Sequence, residues 1–284
     1  MNFAVSTTAF RRKPIEWVLD QARQAGLQLE FSSGLPYRED MESIFLAATG
    51  VRRLPHNYFP APKIPFVLNL GSMDPEIRSK SIDHARHGLR LAARSGAPFY
   101  SAHAGFCIDP KPQDLGHELD LTQRHSRDEH WKSFVGAVRE LAIEASRLGV
   151  KMLVENNVVA PFNVAKDGTA PLLCAHFDEV ERLAREVSSD GLGMLLDTGH
   201  LKVSAEALGF SRDEYMKRVG HLIEAVHHSD NDGKTDSNEA LTGDYWFLPY
   251  MKNYPHAWHI LEVHDQTLEQ IEAQRELLSK AGAA

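Results

Sequence analysis

Eight side chains of carboxylate or imidazole type, Glu30, His56, His103, Glu155, Asp197, His200, His227 and Glu262, stand at or just past the ends of short apolar runs distributed along the sequence. A carboxylate at the end of a buried run is expensive to desolvate unless something pairs with it. A single such residue is usually a solvated rim group. Eight together, with imidazoles interleaved, are most economically explained by a cation that they share. Carboxylate oxygens mixed with neutral imidazole nitrogens suit a divalent Mn, Zn, Co, Fe or Mg ion better than Ca. No cysteine belongs to the set, so an open site with room for water or substrate is expected rather than a closed structural zinc site.

Such a site needs elements that bring distant residues to one place. Short β-rich runs alternate with longer segments of helical periodicity. The runs are FAVSTT from Phe3, LQLEF from Leu27, HNYF from His56 or, shifted, FVLNL from Phe66, PFYSAHAG from Pro98, VKMLVEN from Val150, LGMLLD from Leu192, EAVHHSD from Glu224 and WHILEVH from Trp258. Asp74 followed by Pro75 and Glu76 reads as an N-cap with proline at the first helical position, opening a helix that reaches Ser95. Ser126 with Glu129, and Ser211 with Glu214, have the spacing of capping boxes. FDEVERLAREV and TLEQIEAQRELLSKAG each present one apolar face. Eight strand-and-helix repeats predict an α/β fold, a (β/α)8 TIM barrel with a closed, parallel, eight-stranded sheet, whose usual size is ~250 residues. An open doubly wound sheet is the alternative, but no GxGxxG follows the first strand. In a barrel the strand C-termini surround one mouth, which makes neighbours of residues far apart in sequence.

No linker or charge block divides residues 1–284, which read as one domain. With 43% hydrophobic and 25% charged residues, the composition is that of a globular protein with a sizeable core. Net charge is −8 and the 31 Lys plus Arg are spread along the chain, which disfavours a nucleic-acid partner. No apolar run approaches the ~20 residues of a membrane span and no signal-peptide pattern opens the chain, so a cytoplasmic protein with no membrane partner is expected. Cys107 and Cys174 are too few for a disulfide framework and read as inert thiols. A homo-oligomer is compatible with all of this.

Five motifs in order, SAHAG, LVEN, LLDTGH, HHSD and ILEVH, give most of the chain a resemblance to the xylose isomerase-like TIM barrel superfamily. That superfamily holds sugar phosphate isomerases and epimerases together with AP endonuclease family 2, which includes endonuclease IV. The resemblance implies that Glu155, Asp197, His227 and Glu262 are the four metal ligands shared by the ketose epimerases. His227 is preferred to His228 because the family pattern is His-x-x-acid and Asp230 stands three residues after His227. His228 should then face the barrel wall or its helix layer. His56 and His103 fall where the endonucleases carry the histidines of a further metal, and would hold a second ion with Glu155 or bind substrate hydroxyls. A third metal would need His200, Asp236 and a histidine at position 238, where this chain has Asn238. That loss moves His200 towards substrate contact. Glu30 is expected to contact substrate or orient a neighbour.

The expected activity is therefore that of a metal-dependent isomerase or epimerase acting on a small sugar, sugar phosphate or polyol-type hydroxy-carbonyl compound. A cation bound to adjacent carbonyl and hydroxyl oxygens acidifies the neighbouring C–H, and Glu155 and Glu262 form the acid/base pair that removes and returns the proton through an enediolate. A hydride shift would need a lysine just after the fifth strand, which VENNVVAPFN does not offer. A dehydratase is chemically adjacent. An AP-endonuclease-like phosphodiesterase acting on abasic DNA is the alternative of a different class, opposed by Asn238 and the acidic balance. Arg11, Arg12 and Lys13 after the first strand are expected to be an exposed charge run, or at most a pocket for one sugar phosphate. Gly199 is expected to turn the chain away after Asp197.

Overall fold

The computed structural model describes residues 1–122 and 125–283. Its strands are β1 (Asn2–Ser6), β2 (Leu29–Phe31), β3 (Arg53–Pro55), β4 (Phe99–His103), β5 (Lys151–Glu155), β6 (Leu192–Asp197), β7 (Ile223–His228) and β8 (Trp258–Leu261). All pair in parallel, in the order β3-β2-β1-β8-β7-β6-β5-β4. Around them lie α1 (Ile15–Ala25), α2 (Met41–Ala47), α3 (Pro75–Ser95), α4 (Arg127–Leu148), α5 (Phe177–Val187), α6 (Thr198–Leu208), α7 (Arg212–Val219) and α8 (Leu268–Ala283). This is a nearly closed TIM barrel. Its strands are covered on both faces, as parallel strands flanked by helices must be, and Leu195, Leu196, Ala225 and Val226 are wholly buried.

The helix boundaries follow their capping chemistry. Asp74 Oδ1 accepts from the Glu76 and Ile77 backbone N–H groups at 2.8 and 3.2 Å, and α3 runs from Pro75 to Ser95 as its sequence predicts. Ser126 and Glu129 form the reciprocal box at the start of α4, whereas Ser211 accepts from the Glu214 N–H at 3.4 Å at the start of α7. Between β7 and β8 no α-helix forms among the described residues. A 3-10 helix, Leu248–Asn253, stands there instead, and GDYWFLPYMKNY buries Tyr245, Phe247 and Met251 in the core.

The third strand departs from expectation. HNYF begins one residue beyond β3, and FVLNL carries no strand. The reason is the backbone at Asn57, whose φ of +50° turns the chain out of the sheet, while Phe59 packs its ring 5.0 Å from Phe31 and 4.9 Å from Phe45. The sheet consequently lacks a ladder between β3 and β4, and a single bridge, His56 to Ser101, joins them. Asn57 N–H donates to the Ser101 carbonyl at 2.7 Å, and the Asn57 carbonyl accepts from the Tyr100 hydroxyl at 2.6 Å and from His84 Nε2 at 3.0 Å. Gly88 on α3 makes room for that tyrosine, since a Cβ there would lie 2.4 Å from its ring. No helix among the described residues is long and apolar enough to cross a membrane.

Candidate metal centre

Strand register delivers the acidic residues to one rim. His103 pairs with Glu155, Glu155 with Leu195, Asp197 with His227, and His227 with Ile260. The two-residue steps from Leu195 to Asp197 and from Ile260 to Glu262 keep every one of these side chains on the inner face. Ligand atoms of Glu155, Asp197, His227 and Glu262 all lie within 4.8 Å of one another. His227 Nδ1 is 3.5 Å from Glu155 Oε1, 3.7 Å from Asp197 Oδ2 and 2.8 Å from Glu262 Oε2. Both Glu155 oxygens, Asp197 Oδ2 and His227 Nδ1 are buried without an aligned hydrogen-bond partner. Glu155 Oε1, Asp197 Oδ2 and His227 Nδ1, orphaned around one point, leave their desolvation uncompensated, and a divalent cation there would satisfy these three. The residues present thus fit a divalent ion.

Asp197 is shared between two tasks. Its Oδ1 accepts from the His200 N–H at 2.7 Å, capping α6, while Oδ2 faces the centre. Its main chain is clamped by Asn156, whose amide accepts from Asp197 N–H at 2.8 Å and donates to Asp197 O at 3.0 Å. The structure corrects the expected turn at Gly199: Thr198, Gly199 and His200 are the first turn of a helix. Glycine is required there by close approach, because a Cβ would lie 2.5 Å from Ser229 Oγ and 3.1 Å from Asn231 Nδ2.

His56 and His103 adjoin the same centre. Their Nε2 atoms lie 3.5 and 3.7 Å from Glu155 Oε2, the oxygen turned away from His227. His56 Nδ1 is 2.9 Å from Ser101 Oγ, across the single bridge of the sheet. Glu30 is fully buried and does not reach the cavity; its Oε2 accepts from His227 Nε2 at 2.8 Å. His200 Nδ1 donates to the Asn156 carbonyl at 2.8 Å, and its Nε2 faces Asp236 Oδ2 at 3.2 Å. Asn238 turns from that pair and donates to the Glu262 carbonyl at 3.1 Å. His228 packs outward beneath the helix layer, bonded to the Tyr245 hydroxyl and to His259 Nδ1, each at 2.9 Å. Ser101 and Asn156, which orient ligands, open the SAHAG motif and close the LVEN motif, but their residue types alone give no sign of these roles.

Burial alone would raise the carboxyl pKa of Glu155, Asp197 and Glu262. Glu155 is nonetheless held well below the usual carboxylate range by His103, His227 and His56, whereas Glu262 is raised, its burial reinforced by Glu155 and Asp197. Burial drives His103 down to about 4, keeping its ring neutral at physiological pH. A cavity of about 550 Å³ adjoins the cluster, with His56, His103, His200, Asp236 and Glu262 in its lining together with Phe106 and Phe162. A larger cavity, about 810 Å³, lies beside the loop after β4 and contains none of these residues. Arg11 reaches the mouth, but its guanidinium is paired with Asp265 at 2.6 Å, and Lys13 sits over the Trp17 ring, so no cluster of free cations forms there among the described residues.

A family described as the xylose isomerase-like TIM barrel matches residues 25–280. No curated protein matches the chain in sequence. Among solved structures, a D-tagatose 3-epimerase-like protein superposes with a TM-score of 0.71 at 15% identity, over 99% of this chain and 97% of that one. A 3-keto-D-glucoside 4-epimerase from E. coli superposes with a TM-score of 0.69 at 14% identity, over 100% of both chains. A protein from Thermus thermophilus, soaked with zinc chloride, gives a TM-score of 0.65 at 21% identity over 99% of both. At such identities the likeness is one of fold. The family match spans nearly the whole length, and by it this chain belongs to the xylose isomerase-like TIM barrel family.

Proposed function

We propose that the protein is a divalent-metal-dependent isomerase or epimerase of a small hydroxy-carbonyl compound of carbohydrate type. The observation that carries this reading is the convergence of Glu155, Asp197, His227 and Glu262, with orphaned ligand atoms on the first three, beside a cavity that Glu262 lines. A bound divalent ion would supply Lewis-acid polarisation of a carbonyl, which acidifies the C–H beside it. Asp197 and His227 serve only to hold it. Glu155 at the end of β5 and Glu262 just past β8 approach from different strands, so one can take a proton from a carbon and the other return it on the opposite face. Glu262 opens towards the cavity, and His200, fixed by the Asn156 carbonyl on Nδ1 and paired through Nε2 with Asp236, lines it as a contact for a substrate oxygen. Two of the superposed structures are a D-tagatose 3-epimerase-like protein and a 3-keto-D-glucoside 4-epimerase, which supports this substrate class.

A second reading rests on His56, His103 and Glu155, which could hold a further ion and serve a phosphodiesterase. The paired state of Arg11 speaks against a mouth built for a nucleic-acid backbone. The deciding experiment loads the purified protein with Mn²⁺ or Zn²⁺ and follows solvent-deuterium incorporation by NMR into free D-tagatose, D-psicose and a 3-keto-glucoside. Exchange at one carbon, lowered about 10²–10⁴-fold in Glu155→Gln and Glu262→Gln, is the expected result. Cleavage of abasic DNA with no exchange into any of these sugars would favour the phosphodiesterase.

A further inference from the structure

Glu30 is a carboxylate with no exposed surface, placed inside the barrel by β2, whose register sets it opposite Ser6 on one side and Leu54 on the other. One of its oxygens meets His227 Nε2 at 2.8 Å; the other has no hydrogen-bond partner among the described residues. The remaining polar contacts of the ring lie across the imidazole, where Nδ1 faces Glu155, Asp197 and Glu262. A neutral imidazole carries one N–H and one lone pair, and only the lone pair can ligate. An ionised carboxylate accepts and never donates, so Glu30 forces the proton onto Nε2 and the lone pair onto Nδ1. The ring has little freedom to turn otherwise, since it packs against the His56 ring with centroids 4.9 Å apart at 71°.

Resting on the metal-dependent reading above, we infer that Glu30 is a positioning residue for the metal centre: it fixes the tautomer of His227 and, through its negative charge, raises the affinity of the four-residue group for a divalent ion. An anionic partner behind a ligating histidine also makes that nitrogen a stronger donor, and loss of such a partner typically weakens metal affinity about 10–100-fold. This accounts for a buried carboxylate with a single hydrogen bond, whose isolation would otherwise be a pure liability.

The test uses the full chain, stripped with a chelator, and Mn²⁺ alone as probe. Titration calorimetry should show Glu30→Gln binding Mn²⁺ about 10–100-fold more weakly than the unsubstituted protein. The melting temperature of the two metal-free proteins should stay close, because the amide keeps the shape and an acceptor. In parallel, ¹⁵N NMR of the unsubstituted, Zn²⁺-loaded protein should place the His227 proton on Nε2 and the metal on Nδ1, a readout that does not depend on the variant folding. Unchanged Mn²⁺ affinity in Glu30→Gln, or a metal on Nε2, overturns the role of Glu30 while leaving the metal centre standing. Failure of the unsubstituted protein to bind either ion overturns both.

Discussion

Asp197 carries a helix cap on one oxygen and a candidate metal contact on the other, and substitution can separate the two. Asparagine keeps an acceptor for the His200 N–H but removes the charge; alanine removes both. Metal-free Asp197→Ala should therefore unfold about 1 kcal/mol more easily than metal-free Asp197→Asn in urea titrations. Both should bind Mn²⁺ at least about 10-fold more weakly than the parent, since each loses an anionic ligand. Equal stability of the two variants would show that the cap contributes nothing. At this scale the sequence was informative where a residue's own type revealed its task. Acids and histidines closing apolar runs pointed to eight candidates, the family resemblance singled out Glu155, Asp197, His227 and Glu262, and these four side chains lie together in the fold. What sequence left open was partnership. Whether Glu30 met substrate or a neighbour depended on the β1–β2 register, and the grip of Asn156 on Asp197 depended on two strand ends meeting.

Among the elements, those with a capping signature were legible to the residue, as Asp74 and Pro75 show for α3. β3 was not, because it has only three residues, ends on a proline and has no alternation to read. Its apparent continuation, HNYF, spends its aromatic residues on the core and its histidine on the site. The segment is pinned by α3 through His84, whose half-buried ring donates to the Asn57 carbonyl. Burial, with a smaller contribution from His87, lowers the His84 pKa from 6.5 to about 4. Between those values the unfolded chain takes up a proton that the folded one refuses, so stability is complete above pH 6.5 and is lost as pH falls towards 4. His84→Gln has no such titration. Its deficit relative to the parent, read from urea midpoints, should be full at pH 7.5 and shrink steadily towards pH 4.5. A pH-independent deficit would mean that the His84 proton is not excluded by the fold.

For the molecule as a whole, an eightfold alternation made the barrel readable, while its one incomplete join was not, since nothing in composition reports a missing ladder. That join has a mechanical meaning. A barrel with seven ladders and one bridge is a split hoop, free to gape where β3 meets β4. His56 and His103 stand on the two lips of the split, and Glu155 on the next strand faces both. An ion taken up by these three would act as a clasp. Chelation should accordingly raise amide exchange most at Asn57 and its neighbours, with a far smaller rise along the β7–β8 ladder, and Zn²⁺ should reverse it. A uniform rise across the sheet would show instead that the hoop holds its own tension without the clasp.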